Sequence, residues 1–375
     1  MPPLPIDDFE TRLPGLISLT QRFVELESPT TAKDEIDRLG REIAAVMKER
    51  GAQITHFEES RAGDHWMGLW GEGGDQILLL THMDTVHPLG ALESMPWSSS
   101  ENRLYGPGVL DMKVSIAMAI TVLEALSTRG MLDKRAALLC TSDEETGSHA
   151  SRKLIEELAA ESALVLCLEP ALPEGALKTW RKGILNFRLE VHGVAAHAGS
   201  DIGSGVNAIL EMAHQVQDIS RLGDDGAGTT VNVGVINGGT RSNVVPQHCR
   251  ARIDVRAMNH HEGERIREAM NSLVPELEGA QLEVHGGWNR PPMERNSLMI
   301  ETFQRAREIG LQIGIELSEG GTGGGSDANF VARLGVPVLD GLGALGRGAH
   351  TSDEQVEIPT LAERCALLAA LISSW

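Results

Sequence analysis

The stretch Leu78-Leu79-Leu80-Thr81-His82-Met83-Asp84 opens on an unbroken apolar run and closes on an imidazole and a carboxylate. Apolarity without alternation marks a strand buried on both faces. Comparable runs lie at residues 76–80, 136–140, 163–168 and 336–339, and helical stretches such as 112–126 and 149–160 separate them. Strands interleaved with helices predict an α/β domain with a mostly parallel sheet flanked by helices. Upstream, Ile36, Leu39, Ile43, Val46 and Met47 recur at helical spacing over residues 33–50, with Gly51 where a left-handed cap is expected.

From about Gly183 the pattern alternates: Leu185, Phe187, Leu189 and Val191 are interleaved with Asn186, Arg188, Glu190 and His192. One face of this sheet is wet. A helix at 206–217, strands at 229–236 and 247–255, a helix at 262–273 and a strand at 280–285 complete the order βαββαβ, the ferredoxin-like split motif. The chain therefore divides into a discontinuous α/β domain, residues 1–179 and 290–375, and an inserted α+β domain, residues 180–289.

Composition narrows the function. With 53 acidic against 33 basic residues the net charge is −20, a field that repels phosphate backbones and anionic membrane surfaces. Six Phe, six Trp and one Tyr are too few for a base-stacking platform. Neither nucleic acid nor a membrane is an expected partner. The amino terminus, Met1-Pro2-Pro3-Leu4-Pro5, carries no basic region, apolar stretch or cleavage signal, which predicts a soluble, cytoplasmic protein. Cys140, Cys167, Cys249 and Cys365 are scattered and read as buried free thiols.

In open α/β sheets functional groups gather at the carboxyl ends of strands. Here three strands end in Thr81-His82-Met83-Asp84, Thr141-Ser142-Asp143-Glu144-Glu145 and Leu168-Glu169-Pro170. Gly106-Pro107-Gly108-Val109-Leu110-Asp111 brings another carboxylate to the start of a helix, and Gly348-Ala349-His350 another imidazole. Singly each has an ordinary explanation: Glu144-Glu145 as a solvated pair, Asp111 as a helix cap, His350 as a structural histidine. Jointly, imidazoles and carboxylates without thiolates suit Zn²⁺, Co²⁺ or Mn²⁺ better than Ca²⁺. The run from Gly320 to Asp327 lacks the Gly-Lys-Ser/Thr ending of a phosphate loop.

These segments, together with His197-Ala198-Gly199, Ser242-Asn243-Val244-Val245-Pro246 and Gly323-Gly324-Gly325-Ser326-Asp327, resemble the dinuclear-zinc amidohydrolases: glutamate carboxypeptidase, acetylornithine deacetylase, succinyl-diaminopimelate desuccinylase and the aminoacylases. The likeness is greatest to the bacterial glutamate carboxypeptidases and runs through nearly the whole chain in order. It implies two Zn²⁺ per chain, with Co²⁺ or Mn²⁺ as substitutes. Asp111 would bridge the two ions, His82 and Glu169 would complete one set of ligands, and Glu145 and His350 the other. It also implies Asp84 as the residue orienting His82, Glu144 as general base, a cis bond after Asp111, and an inserted domain acting as lid and homodimerisation unit. In that homodimer His197 would stabilise the oxyanion in the partner's site, and Asn243 and Arg290 would hold the substrate's α-carboxylate.

The implied activity is hydrolysis of the amide of an N-acyl or N-peptidyl amino acid, a small molecule or short peptide, by a carboxypeptidase or by a deacylase. A metal-containing α/β binding protein is the non-enzymatic alternative. One departure stands out. Where glutamate-preferring members carry a lysine, counting back from His197 without a gap gives Ala176, with Lys178, Arg181 and Lys182 nearby.

Overall fold

The computed structural model describes residues 3–375, so Met1 and Pro2, on which the amino-terminal reading begins, lie outside it. The chain divides into two compact units. One comprises the chain up to Trp180 with Arg295–Thr322 and Ser326–Trp375; the other is Arg181–Glu294 with Gly323–Gly325.

In the first unit the strands are β1 (Gln53–Phe57), β2 (His65–Trp70), β3 (Gln76–His82), β4 (Arg135–Thr141) and β5 (Leu164–Cys167), arranged β1-β2-β4-β3-β5 with Val338–Leu339 beyond β5. From β4 to Val338–Leu339 all pairings are parallel, while β1 and β2 join antiparallel at the opposite edge. Every residue of β3 and β5 is buried, as continuous apolarity requires of a sheet covered on both faces. The hairpin β1–β2 has no such run and escaped sequence reading. The expected helix at 33–50 forms as Lys33–Glu49, with Gly51 at φ +92. Val114–Thr128 is buried except at Glu124, Ser127 and Thr128, as expected of a helix that is apolar around most of its circumference.

The second unit contains β6 (Gly183–His192), β7 (Thr230–Gly238), β8 (His248–Ala257) and β9 (Gln281–Arg290), in the antiparallel order β7-β8-β6-β9 that the ferredoxin-like motif demands. Leu185, Phe187, Leu189 and Val191 pack with Ala251, Ile253 and Val255 against Met212, Ile219, Ile266 and Met270 of the two helices, Ala208–Ser220 and His260–Asn271. Each fully buried aliphatic side chain in that layer contributes about 1.5–3 kcal/mol. All four cysteines are buried thiols outside any disulfide. Among the described residues, no helix is long and apolar enough to cross a membrane.

Candidate metal centre

The parallel strands deliver their terminal residues to one edge. β3 ends on His82, the turn after β4 presents Glu144 and Glu145, and Glu169 follows β5. A small sheet supplies the rest: Arg103–Tyr105 pairs with Gln355–Glu357, which pairs in turn with Gly346–Arg347. The loop carrying His350 is thereby set beside the segment leading to Asp111. Gly108 in that segment has φ +70, and a Cβ there would meet Thr85 Cγ2 at 2.4 Å, so only glycine fits. The Asp111–Met112 peptide is cis, as the resemblance implies. His350 itself sits at φ +65, an uncommon conformation for a residue other than glycine.

The five residues form two clusters that share Asp111. His82 Nε2 lies 3.0 Å from Asp111 Oδ1 and 3.8 Å from Glu169 Oε1. His350 Nε2 lies 3.3 Å from Asp111 Oδ2 and 3.2 Å from Glu145 Oε2. Each oxygen of Asp111 thus faces a different histidine. Donor atoms within each trio, His82–Asp111–Glu169 and Asp111–Glu145–His350, all lie within 4.8 Å of one another.

Hydrogen bonding sets the tautomer of His82. Its Nδ1 is 3.0 Å from the Asp84 carbonyl oxygen, which can only accept, so Nδ1 carries the proton and the Nε2 lone pair turns toward the carboxylates. A lone pair and two carboxylate oxygens converging on one point require a positive charge between them, and protons answer the same demand as a metal ion. Burial would lower the His82 pKa, but Asp111 and Asp84 raise it well above its ordinary value. His350 is pushed up to about 10 by hydrogen bonds to Asp111 and Glu145. Burial pushes the Glu145 carboxyl up against the pull of His350, and its Oε1 is buried without a hydrogen-bond partner. The donor set and this orphaned oxygen fit divalent cations of the zinc type.

Asp84 is fully buried, and its carboxylate accepts three hydrogen bonds. Its Oδ1 accepts from the Glu144 amide at 3.2 Å, its Oδ2 from the Glu145 amide at 3.2 Å, and the Thr30 hydroxyl donates to Oδ2 at 2.7 Å. One carboxylate therefore ties the end of β3 to the turn after β4.

Glu354, which sequence reading missed, holds the Asp111 segment. Its Oε1 accepts from the amides of Leu110 (2.8 Å) and Asp111 (3.0 Å), and its Oε2 from Gly108 (3.0 Å), with His87 Nε2 at 2.7 Å. Glu354→Gln would set an amide NH₂ against groups that themselves donate. The expected result is metal affinity about 10- to 100-fold weaker, as for other partners that position ligands, read by competitive zinc titration, with Glu354→Asp losing less.

In the second unit the loops bring His197 and Asn243 together: Ala198 N donates to Asn243 O at 3.1 Å, and His197 bridges to Val244. His197 is exposed, and its Nδ1 accepts from the amides of Gly199 and Ser200 at 3.0 and 3.1 Å. Its proton therefore sits on Nε2, available for donation. Arg290, at the end of β9, is only 2% exposed, unlike a boundary arginine in solvent. The Gly-rich segment packs tightly here. The carbonyls of Gly324 and Gly325 accept from Arg181, and a Cβ on Gly325 would meet Ile184 Cδ1 at 2.6 Å and Arg290 Cδ at 2.9 Å. Ala176 supplies no cation, and Lys178, in the first unit, is buried.

Residues 78–374 match peptidase family M20/M25/M40. The chain is 29% identical over 371 residues to carboxypeptidase G2 of Pseudomonas sp. (strain RS-16), covering 96% of this chain and 89% of that protein. It is 29% identical over 377 residues to succinyl-diaminopimelate desuccinylase of Delftia acidovorans, covering 91% and 93%. Among solved structures, an M20 family metallo-carboxypeptidase from Sulfolobus solfataricus shares the fold, with a TM-score of 0.74 at 15% identity over 96% of this chain and 98% of that one.

Proposed function

The chain belongs to peptidase family M20/M25/M40, a family of metallohydrolases, and from that premise we propose that it hydrolyses the amide bond of N-acyl or N-peptidyl amino acids with a free α-carboxylate. The observation that carries this reading is the pair of clusters sharing Asp111, one oxygen of which faces His82 and the other His350. His82 and Glu169 would hold one Zn²⁺, Glu145 and His350 the other, and Asp111 both; Co²⁺ or Mn²⁺ would suit the same donors. Such a pair, when bound, supplies Lewis acidity toward the substrate carbonyl and lowers the pKa of water.

The remaining work falls to side chains. Glu144 takes the proton of the attacking water on its carboxylate and returns it to the departing amine nitrogen. Glu145 is engaged by His350, so the adjacent glutamates divide the tasks of base and ligand. His197 donates from Nε2 to the carbonyl oxygen as that oxygen becomes negative. Asn243 and Arg290 take the α-carboxylate, the guanidinium by paired hydrogen bonds. Deacylation of the desuccinylase type is the second reading; Ala176 favours it because it offers no cation for a glutamate side chain.

The protein acts, in this proposal, as a cytoplasmic homodimer joined through its inserted units. Support comes from edge strand β7, where Val235 and Ile236 are 46% and 49% exposed, and from Ile209 and Leu210 on the adjacent helix, at 43% and 49%. A twofold contact would cover the same patch on both copies, and His197 would serve the partner's site.

Chelation tests the reading. Protein dialysed against a chelator should lose amine release from N-acyl amino acids, and about two Zn²⁺ per chain should restore it. Full turnover by metal-free protein would overturn the proposal, and a panel varied at each end of the amide separates carboxypeptidase from deacylase.

A further inference from the structure

The open face of the second unit's sheet carries a side-chain cluster that hydrolysis leaves without a task. Side chains alternate along a strand, so Glu190 and His192 of β6 share the face turned away from the core. The register sets His248 of β8 opposite His192, and Glu283 of β9 opposite Glu190. His285 follows two residues on, opposite Arg188. The His192 and His248 ring centroids are 5.3 Å apart. His248 Nε2 is 3.5 Å and His192 Nε2 4.0 Å from the same oxygen, Glu190 Oε2. His192 Nε2 is also 3.5 Å from Glu283 Oε1, and His285 Nε2 is 3.4 Å from Glu283 Oε2. One donor atom from each of Glu190, His192 and His248 lies within 4.8 Å of the other two.

Cross-strand charge pairing is the ordinary explanation for such residues. Two observations go beyond it. His192 Nε2 is shielded from solvent yet makes no hydrogen bond, although a charge pair would direct its N–H at a carboxylate. The two imidazoles also stand side by side, an arrangement that repels if both are protonated but converges if both present lone pairs to one ion. Arg188 Nε lies 3.1 Å from Glu190 Oε1 and leaves Oε2 toward the histidines; Arg250 sits opposite Glu190 on β8. Imidazole nitrogens with a carboxylate oxygen form a donor set for first-row transition ions rather than for Ca²⁺ or Mg²⁺.

We propose that Glu190, His192 and His248 bind a divalent transition ion, with Glu283 as fourth ligand, at a site separate from the Asp111 clusters. The backbone positions are fixed by the sheet, so side-chain rotation alone must bring the donors to bonding distance, about 2.0–2.2 Å for zinc. The residues lie on three adjacent, hydrogen-bonded strands, so the spacing of the ligands is set by the backbone register.

Equilibrium dialysis of the full-length protein against Zn²⁺, with bound metal counted by mass spectrometry, tests this. His192→Ala/His248→Ala should bind one ion fewer per chain than wild type, while amide hydrolysis at equal free zinc is unchanged. His248→Gln alone, at an exposed position, should weaken that ion at least tenfold without disturbing the core. Equal zinc stoichiometry and affinity in wild type and both variants would overturn the site. The readout is metal bound rather than turnover, so failure here is distinct from failure of the proposed hydrolysis.

Discussion

Glu144→Gln should keep its metal and lose turnover by at least the roughly 10²- to 10⁴-fold that a general base contributes. The amide preserves shape and removes basicity. Glu144 is held by its backbone, through the Asp84 carboxylate, rather than only by its side chain, so the substitution leaves the turn in place. Zinc content equal to wild type, measured beside kcat, separates loss of the base from loss of the site, and near wild-type rates at full occupancy would end the assignment. The same variant tests the proposed homodimer. His197→Ala should also be nearly inactive, yet mixed heterodimers should recover up to half of the wild-type sites, each combining Glu144 of one subunit with the partner's His197. No recovery after demonstrated subunit exchange would return His197 to the role of a loop histidine.

Arg290→Ala should lower kcat/KM steeply for free acids and barely for the corresponding α-amides, because the amide carries no charge for the guanidinium to pair. Removing a charge-assisted hydrogen-bonding partner from the acid alone corresponds to about 1.5–3 kcal/mol, roughly 10- to 150-fold. Arg290 is buried beside Gly325, so its removal also disturbs packing. Comparing the two substrates cancels that disturbance, since a packing defect lowers both equally. Equal losses would make Arg290 a structural residue.

Much of this architecture was legible because burial on two faces writes itself as unbroken apolarity, as in β3 and β5, and burial on one face as alternation, as in β6. His82, Glu145 and Glu169 were visible as polar residues ending or following such runs, Asp111 as a carboxylate at the start of a helix and His350 as an imidazole after glycine; only their division between two sets of ligands came from the resemblance. The structure brings all five together. Glu354 was invisible for a physical reason. Its amide partners lie 243 to 246 residues earlier, and a glutamate buried against backbone amides looks in sequence like any surface acid. The burial of Arg290 was hidden likewise, because the glycine that closes over it arrives 35 positions later in the chain. The hairpin β1–β2 failed for want of pattern: the residues of β1 are exposed or half-buried throughout.

The small sheet that sets His350 and Glu354 beside Asp111 also imposes an order in time. His82 leaves the ribosome 268 residues ahead of His350, and Glu354 and the strand Gln355–Glu357 follow later still. Arg181–Glu294, nearly the whole second unit, is contiguous and can close its core while the first unit still lacks its final strands and helix. Until His350 and Glu354 are made, the growing chain holds only His82, Asp111, Glu145 and Glu169 of the five clustered side chains, and Glu354 is not yet there to accept from the amides of residues 108–111. The cluster of Asp111, Glu145 and His350 can therefore assemble only after residue 350 has been made, long after its other two members.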